Sequence, residues 1–178
     1  MSNALLESVV KKNRARLIPF MLALYVLAFL DRSNIGFAKE TYQLDTGLSN
    51  EAYALGAGIF FVVYAFLGVP ANLLMRKFGA RKWIGCTTLL WGLLSAAMAW
   101  ADTEAKFLLV RTLLGAAEAG FFPGMIYLTS QWFPQQNRAS IMGLFYMGAP
   151  LALTLGSPLS GALLEMHGFM GHPGWFWM

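Results

Sequence analysis

"YVLAFLDRSNIGFA", residues Tyr25–Ala38, decides how the rest of the chain is read. A carboxylate and a guanidinium, Asp31 and Arg32, stand side by side inside an otherwise apolar run. What such a pair does depends on the solvent that the run meets. The flanking sequence supplies that solvent. Of 178 residues, 57% are hydrophobic and only 12% are charged. A soluble domain of this size carries about 25% charged residues. Several uncharged runs reach the roughly 20 helical residues that cross a bilayer. The pattern predicts an all-α polytopic membrane protein.

The formal net charge is +4. The basic residues form no aromatic-interleaved patch, and they lie between apolar runs. That is the pattern of a membrane topology signal rather than of a nucleic-acid surface. The single cysteine, Cys86, has no intramolecular disulfide partner and reads as a buried packing residue. The start of the chain, "KKNRARLIPFMLALYVLAFL", imitates a secretory signal. No small-residue cleavage site follows it, so a retained first helix is expected.

Span 1 is placed at Leu17 to Ala38 and span 2 at Ala52 to Met75, with Ser49 as its N-cap. Span 3 runs from Trp83 to Ala101. Span 4 covers Phe107 to Ser130, with Asp102 or Thr103 at its start, and span 5 covers Ser140 to Leu164. A sixth apolar stretch begins at "PGWFWM". Lysine and arginine set the orientation. One side holds Lys11, Lys12, Arg14, Arg16, Arg76, Lys77, Arg81, Lys82 and Arg138; the other holds only Lys39 and Lys106. A cytoplasmic N-terminus is therefore expected. Residues 1–16 form a cytoplasmic tail in this reading. Residues 17–178 form the N-terminal transmembrane half of a longer chain, with the C-terminal half as its missing partner.

Four ionisable side chains fall within spans: Asp31, Arg32, Arg111 and Glu118. Each costs about 2.5–3.5 kcal/mol at a helix centre on insertion scales, so they must face the protein interior or a water-filled cavity. At about 1.5 Å per residue, Asp31 and Arg111 lie at similar depths and can pair across helices. Glu118 lies close to the midplane, on the same helix face as Arg111, with Arg32 as its candidate partner. Two structural salt bridges are the plainer reading. Against it, a buried ion pair contributes little net stability, because desolvation offsets the attraction. The charges also fall on the first helix of each of two three-helix units, the arrangement in which transporters place a site at the repeat interface. Arginine grips carboxylates in a fork, and carboxylates at bilayer depth can take up protons near neutral pH. Together they point to a small organic anion moving with protons.

Tyr64 in span 2 offers a phenol to such a cargo, and Asn34 a polar contact; for each, a helix–helix hydrogen bond is the competing reading. Gly148, Ala152, Gly156 and Ser160 make a small-residue stripe along span 5, and Gly56 and Gly68 flank Tyr64 on span 2. Pro123 and Pro158 are expected to bend spans 4 and 5. His167 and His172 lie in an outer loop without zinc-ligand spacing. No phosphate loop, nucleophile elbow or paired-cysteine motif is present, so neither an enzyme nor a cofactor is expected.

"DRSNIGFA", "GAGIFFVVYAFLGVPANLLMRKFGARKW", "RTLLGAAEAGFFPGMIYLTSQWFP" and "GSPLSG" resemble the anion:cation symporter family of the major facilitator superfamily. The likeness runs in order from about Leu17 onward. It implies a twelve-helix fold of two six-helix halves, of which this chain is most of the first. It also implies symport of a sugar acid, such as L-rhamnonate, or another organic anion with protons. By the same resemblance Asp31 and Glu118 are protonation sites, Arg32 and Arg111 act in substrate binding and coupling, and Tyr64 contacts substrate. The loop after span 2 departs from the superfamily pattern. Asn72 stands where a glycine is usual and Arg76 where an aspartate is usual, so the cytoplasmic gate must be built differently. A passive facilitator and a non-transporting membrane sensor on the same scaffold are the alternatives.

Overall fold

The computed structural model describes residues 3–178, and among them no strand occurs. The helices are α1 (Asn3–Thr46), α2 (Asn50–Phe78), α3 (Ala80–Ala97), α4 (Glu104–Glu118), α5 (Phe121–Trp132), α6 (Gln135–Tyr146) and α7 (Gly148–Leu164). Short 3-10 turns follow at Met98–Trp100, Phe169–Gly171 and Gly174–Trp177. Taken end to end, α4 with α5 and α6 with α7 make single rods, so five segments are long and apolar enough to cross a membrane. The fold is an all-α bundle of membrane-length helices. The "PGWFWM" stretch contributes only a 3-10 turn.

The first helix is longer than its apolar run. α1 continues unbroken through the basic residues of the expected cytoplasmic tail, and on past Ala38 to Thr46. Its 44 residues span about 65 Å at helical rise, roughly twice a bilayer's hydrocarbon thickness. Both ends therefore project beyond the apolar layer. Ser49 caps α2 by accepting from the Ala52 amide at 3.0 Å. Thr103, rather than Asp102, caps α4. Asp102 instead bonds Lys106, one helical turn on, and this contact holds its carboxyl below the usual carboxylate range. The pair is well exposed, so solvent screening leaves it little effect on stability.

Two prolines break the rods, though not the two expected. Pro123 has no amide hydrogen to offer the carbonyl of Ala119, and α4 gives way to a turn at Ala119–Gly120. This bend was expected. In the next rod the interruption falls at Met147, three residues before Pro150, while α7 runs straight through Pro158. Pro150 leaves the Tyr146 carbonyl without its helical donor, so it terminates α6. Pro158 lies well inside α7, where the helix carries on.

Small residues set the closest crossings. Gly148, Ala152, Gly156 and Ser160 are all buried along α7. A Cβ on Gly148 would meet the Tyr25 ring at 2.6 Å, and one on Gly156 would meet Leu30 at 2.7 Å. The stripe thus seats α7 on α1. The α2–α4 crossing is tighter still, because a Cβ on Gly115 would sit 2.5 Å from the Phe60 carbonyl oxygen. Backbone cannot yield as a flexible side chain can. Gly115→Val is therefore expected to destabilise the bundle by about 1–3 kcal/mol or more through overpacking. Thermal unfolding in detergent checks this; an unchanged midpoint would contradict the crossing.

Cys86 is exposed on α3, not buried as expected. Its helix turns Ile84 and Trp91 inward instead, which leaves Cys86 on the outward face.

Candidate functional site

The intramembrane charges come together where α1, α2 and α4 meet. Glu118 is the last residue of α4 and is fully buried. Arg32 reaches it from α1 with two donors onto one oxygen: Nε to Oε2 at 2.9 Å and Nη2 to Oε2 at 2.7 Å. The other oxygen, Oε1, is buried without a donor. The expected Arg32–Glu118 pair is thus formed, and it leaves one carboxylate oxygen free.

The other expected pair is not formed. Asp31 and Arg111 make no salt bridge, and each has a different partner. Ser95 on α3 donates its hydroxyl to Asp31 Oδ1. Asp31 Oδ2 is buried and unpaired. Arg111, 3% exposed, donates Nε to the Gly56 carbonyl at 3.2 Å and lays its guanidinium 4.5 Å from the centre of the Phe60 ring. The rigid carbonyl and ring of α2 hold Arg111, so it turns to α2 rather than to α1. Its terminal nitrogens have no protein partner among the described residues.

A cavity of about 430 Å³ opens beside this cluster, lined in part by Asp31, Asn34, Ser95, Arg111, Trp100 and Trp175. It lies toward the end of the bundle where Tyr42 donates to the Ala101 carbonyl, away from the basic Arg76–Lys82 turn. Asn34 is engaged on its rim: its amide donates to the Met178 carbonyl at 3.0 Å and its carbonyl accepts from Ser160 at 3.3 Å. This is the helix–helix role weighed for it, although the residue still borders the cavity.

Tyr64 lies outside that cavity. Its ring sits 4.7 Å from the Arg32 guanidinium, and it lines a second groove of about 320 Å³ with Asn72, Arg76 and Pro123. Arg76, at the position where an acidic residue is usual, faces the Tyr127 ring at 5.8 Å. His172, read as a loop residue, stacks on Phe176 with ring centres 4.0 Å apart.

Two neighbours were not singled out from the sequence. Ser95 is one of three hydroxyl residues in an uncharged span, with Thr87 and Thr88, and Phe60 is one of two consecutive phenylalanines. Phe60 is fully buried, whereas Phe61 is exposed. Only the register of α2 against α1 and α4 separates them.

The family model for the Major Facilitator Superfamily matches residues 21–178. The chain belongs to the major facilitator superfamily. Within that superfamily it is 93% identical over its whole length to the inner membrane transport protein RhmT of Escherichia coli (strain K12), of which it covers 42%. It is 50% identical to a putative tartrate transporter of Agrobacterium vitis, with 99% of this chain and 39% of that protein aligned. A quinolone resistance transporter of Acinetobacter baumannii is 45% identical, with 97% and 40% aligned. The chain therefore spans about two-fifths of the length of the curated relatives it matches. Among solved structures, an inward-facing, occupied bacterial homolog of the human lysosomal transporter Spinster superposes with a TM-score of 0.81. That likeness covers 87% of this chain and 34% of the other, at 22% identity, and shows the fold. The chain is a multi-pass membrane protein of a transporter family.

Proposed function

We propose that this chain supplies the N-terminal half of a proton-coupled symporter for an organic anion, a sugar acid such as L-rhamnonate. It works by alternating access in the bacterial inner membrane, with its N-terminus cytoplasmic. The observation that carries this reading is the ion pair of part-buried Arg32 with fully buried Glu118 and its free carboxylate oxygen, next to a cavity bordered by Arg111 and Asp31. A structural ion pair would be expected to satisfy its lone pairs. Here Glu118 Oε1 and Asp31 Oδ2 are left without donors, as suits groups that acquire their own hydrogen.

Each side chain then has a role. Arg111, fixed through Nε, offers its terminal nitrogens to a carboxylate entering the cavity. Glu118 holds Arg32 while ionised and releases it when protonated, so anion and proton occupy the site together. Asp31, held by Ser95, is the second proton carrier. Asn34 borders the anion, and Tyr64 supports Arg32 from beneath. The relatives named as tartrate transporters fit a hydroxylated carboxylate cargo.

The test uses a full-length chimera in which this chain replaces the matching segment of the E. coli relative. Purified and reconstituted into vesicles with an acidic exterior, it is expected to accumulate labelled L-rhamnonate above the external concentration. A protonophore should collapse the accumulation. Uptake that stops at equal concentrations with or without the protonophore would instead identify a passive facilitator. Absence of any uptake beside saturable binding would identify a sensor.

A further inference from the structure

We propose that Phe60 is a positioning residue that holds Arg32 in the site when Glu118 no longer does. The inference rests on the reading of Arg32 and Arg111 as anion grips. The Phe60 ring takes both guanidiniums: Arg32 at 5.5 Å and Arg111 at 4.5 Å from its centre. No other ring among the described residues serves both. Phe60 itself cannot drift. It is fully buried, it stacks on Tyr64 at 6.0 Å, and its backbone is pressed against Gly115 of α4.

The need for such a residue follows from Arg32's bonds. Both of its side-chain hydrogen bonds go to one oxygen of Glu118. Neutralising Glu118 removes the charge that holds the guanidinium. A long arginine freed inside a membrane protein snorkels toward water. The faces of Phe29, Phe60 and Tyr64 lie 5.7, 5.5 and 4.7 Å from the Arg32 guanidinium and do not titrate away with Glu118. Cation–π attraction strengthens when the partners are desolvated, as here. Phe60 differs from the other two because it also fixes Arg111, and so sets the spacing of the two grips.

The charged and titratable groups facing the Arg32–Glu118 pair are Asp31 and Tyr25 on α1, Tyr64 on α2 and Arg111 on α4. From α3, Ser95 reaches Asp31 and does not titrate in this range. Exchanging Phe60 alters none of these charges, so its effect on a pH profile reports the position of Arg32.

The experiment compares Phe60→Leu, Phe60→Met and Phe60→Trp in the full-length chimera, with labelled L-rhamnonate uptake measured from pH 5 to 8. In Phe60→Leu and Phe60→Met the KM should rise about tenfold at the acid end, which favours protonation of Glu118, and much less at the alkaline end. Phe60→Trp should restore the acid-end KM despite its larger volume. A packing role predicts the reverse: Leu and Met tolerated, Trp harmful, and losses in kcat or yield that are flat with pH. That pattern, or an unchanged KM in Phe60→Leu, would overturn the proposal. If the unsubstituted chimera neither takes up nor binds the anion, the symporter reading has failed before Phe60 is tested.

Discussion

Replacing Glu118 by glutamine is expected to abolish uphill accumulation of L-rhamnonate by the chimera while its protein yield stays close to normal. Glutamine has the shape of a carboxyl and still presents a carbonyl oxygen to Arg32 Nε and Nη2, now 2.9 and 2.7 Å from Glu118 Oε2. It cannot gain or lose a proton. Across a gradient of about two pH units, each coupled proton sustains a concentration ratio on the order of a hundred. Glu118→Gln should bring that ratio down to about one. The comparison with alanine separates coupling from folding. Glu118→Ala leaves the part-buried Arg32 guanidinium without its counterion, a loss that costs up to about 3–5 kcal/mol in a fully buried pair. It should therefore unfold at lower temperature than Glu118→Gln. Full accumulation by Glu118→Gln would remove Glu118 from the proton path.

The second large effect is expected at Arg111. This side chain is 3% exposed, bound through Nε to the Gly56 carbonyl and laid against Phe60. Arg111→Lys keeps the charge but loses the planar fork that meets a carboxylate with two parallel bonds. A single ammonium cannot hold Gly56, cover the ring and still present two parallel donors to a carboxylate. Truncating one member of a buried, hydrogen-bonded charge pair costs about 2–5 kcal/mol, so kcat/KM for the anion should fall at least about thirtyfold. Because Arg111 does not pair with Glu118, the ratio of protons to anions should survive in whatever transport remains. A kcat/KM within threefold of the parent would show that the cavity grips its cargo elsewhere.

Much of the site could be read from spacing alone. Four charges in uncharged surroundings stand out, and helical rise placed Arg32 opposite Glu118. The same arithmetic failed for Asp31 and Arg111, because depth says nothing about rotation. Arg111 points at α2, where it finds a backbone carbonyl and a ring, and Ser95 from α3 reaches Asp31 instead. Neither partner carries a signal in sequence: every helix has a Gly56-like carbonyl, and a serine in an apolar span is ordinary. Phe60 and Phe61 are equivalent until the Gly115 crossing fixes which of them turns inward. The bends show a similar limit. Pro123 interrupts its helix as expected, whereas Pro158 is accommodated and Pro150 makes the break. A proline's effect depends on whether packing and neighbouring groups compensate for its lost hydrogen bond, which is a property of the bundle and not of the residue. α1 outruns span 1 for another reason. Hydropathy locates the apolar layer, but a helix that enters water need not end there.

The most direct test of the account measures protons rather than anion. The chimera is reconstituted into weakly buffered vesicles with no ion gradient, L-rhamnonate is added outside, and external pH is followed. Inward anion movement coupled to Glu118 should draw protons in, so the exterior should turn alkaline at once. Glu118→Gln vesicles should show no such change. Rhamnonate uptake with no alkalinisation in the parent would contradict the claim that the Arg32–Glu118 pair couples the anion to protons.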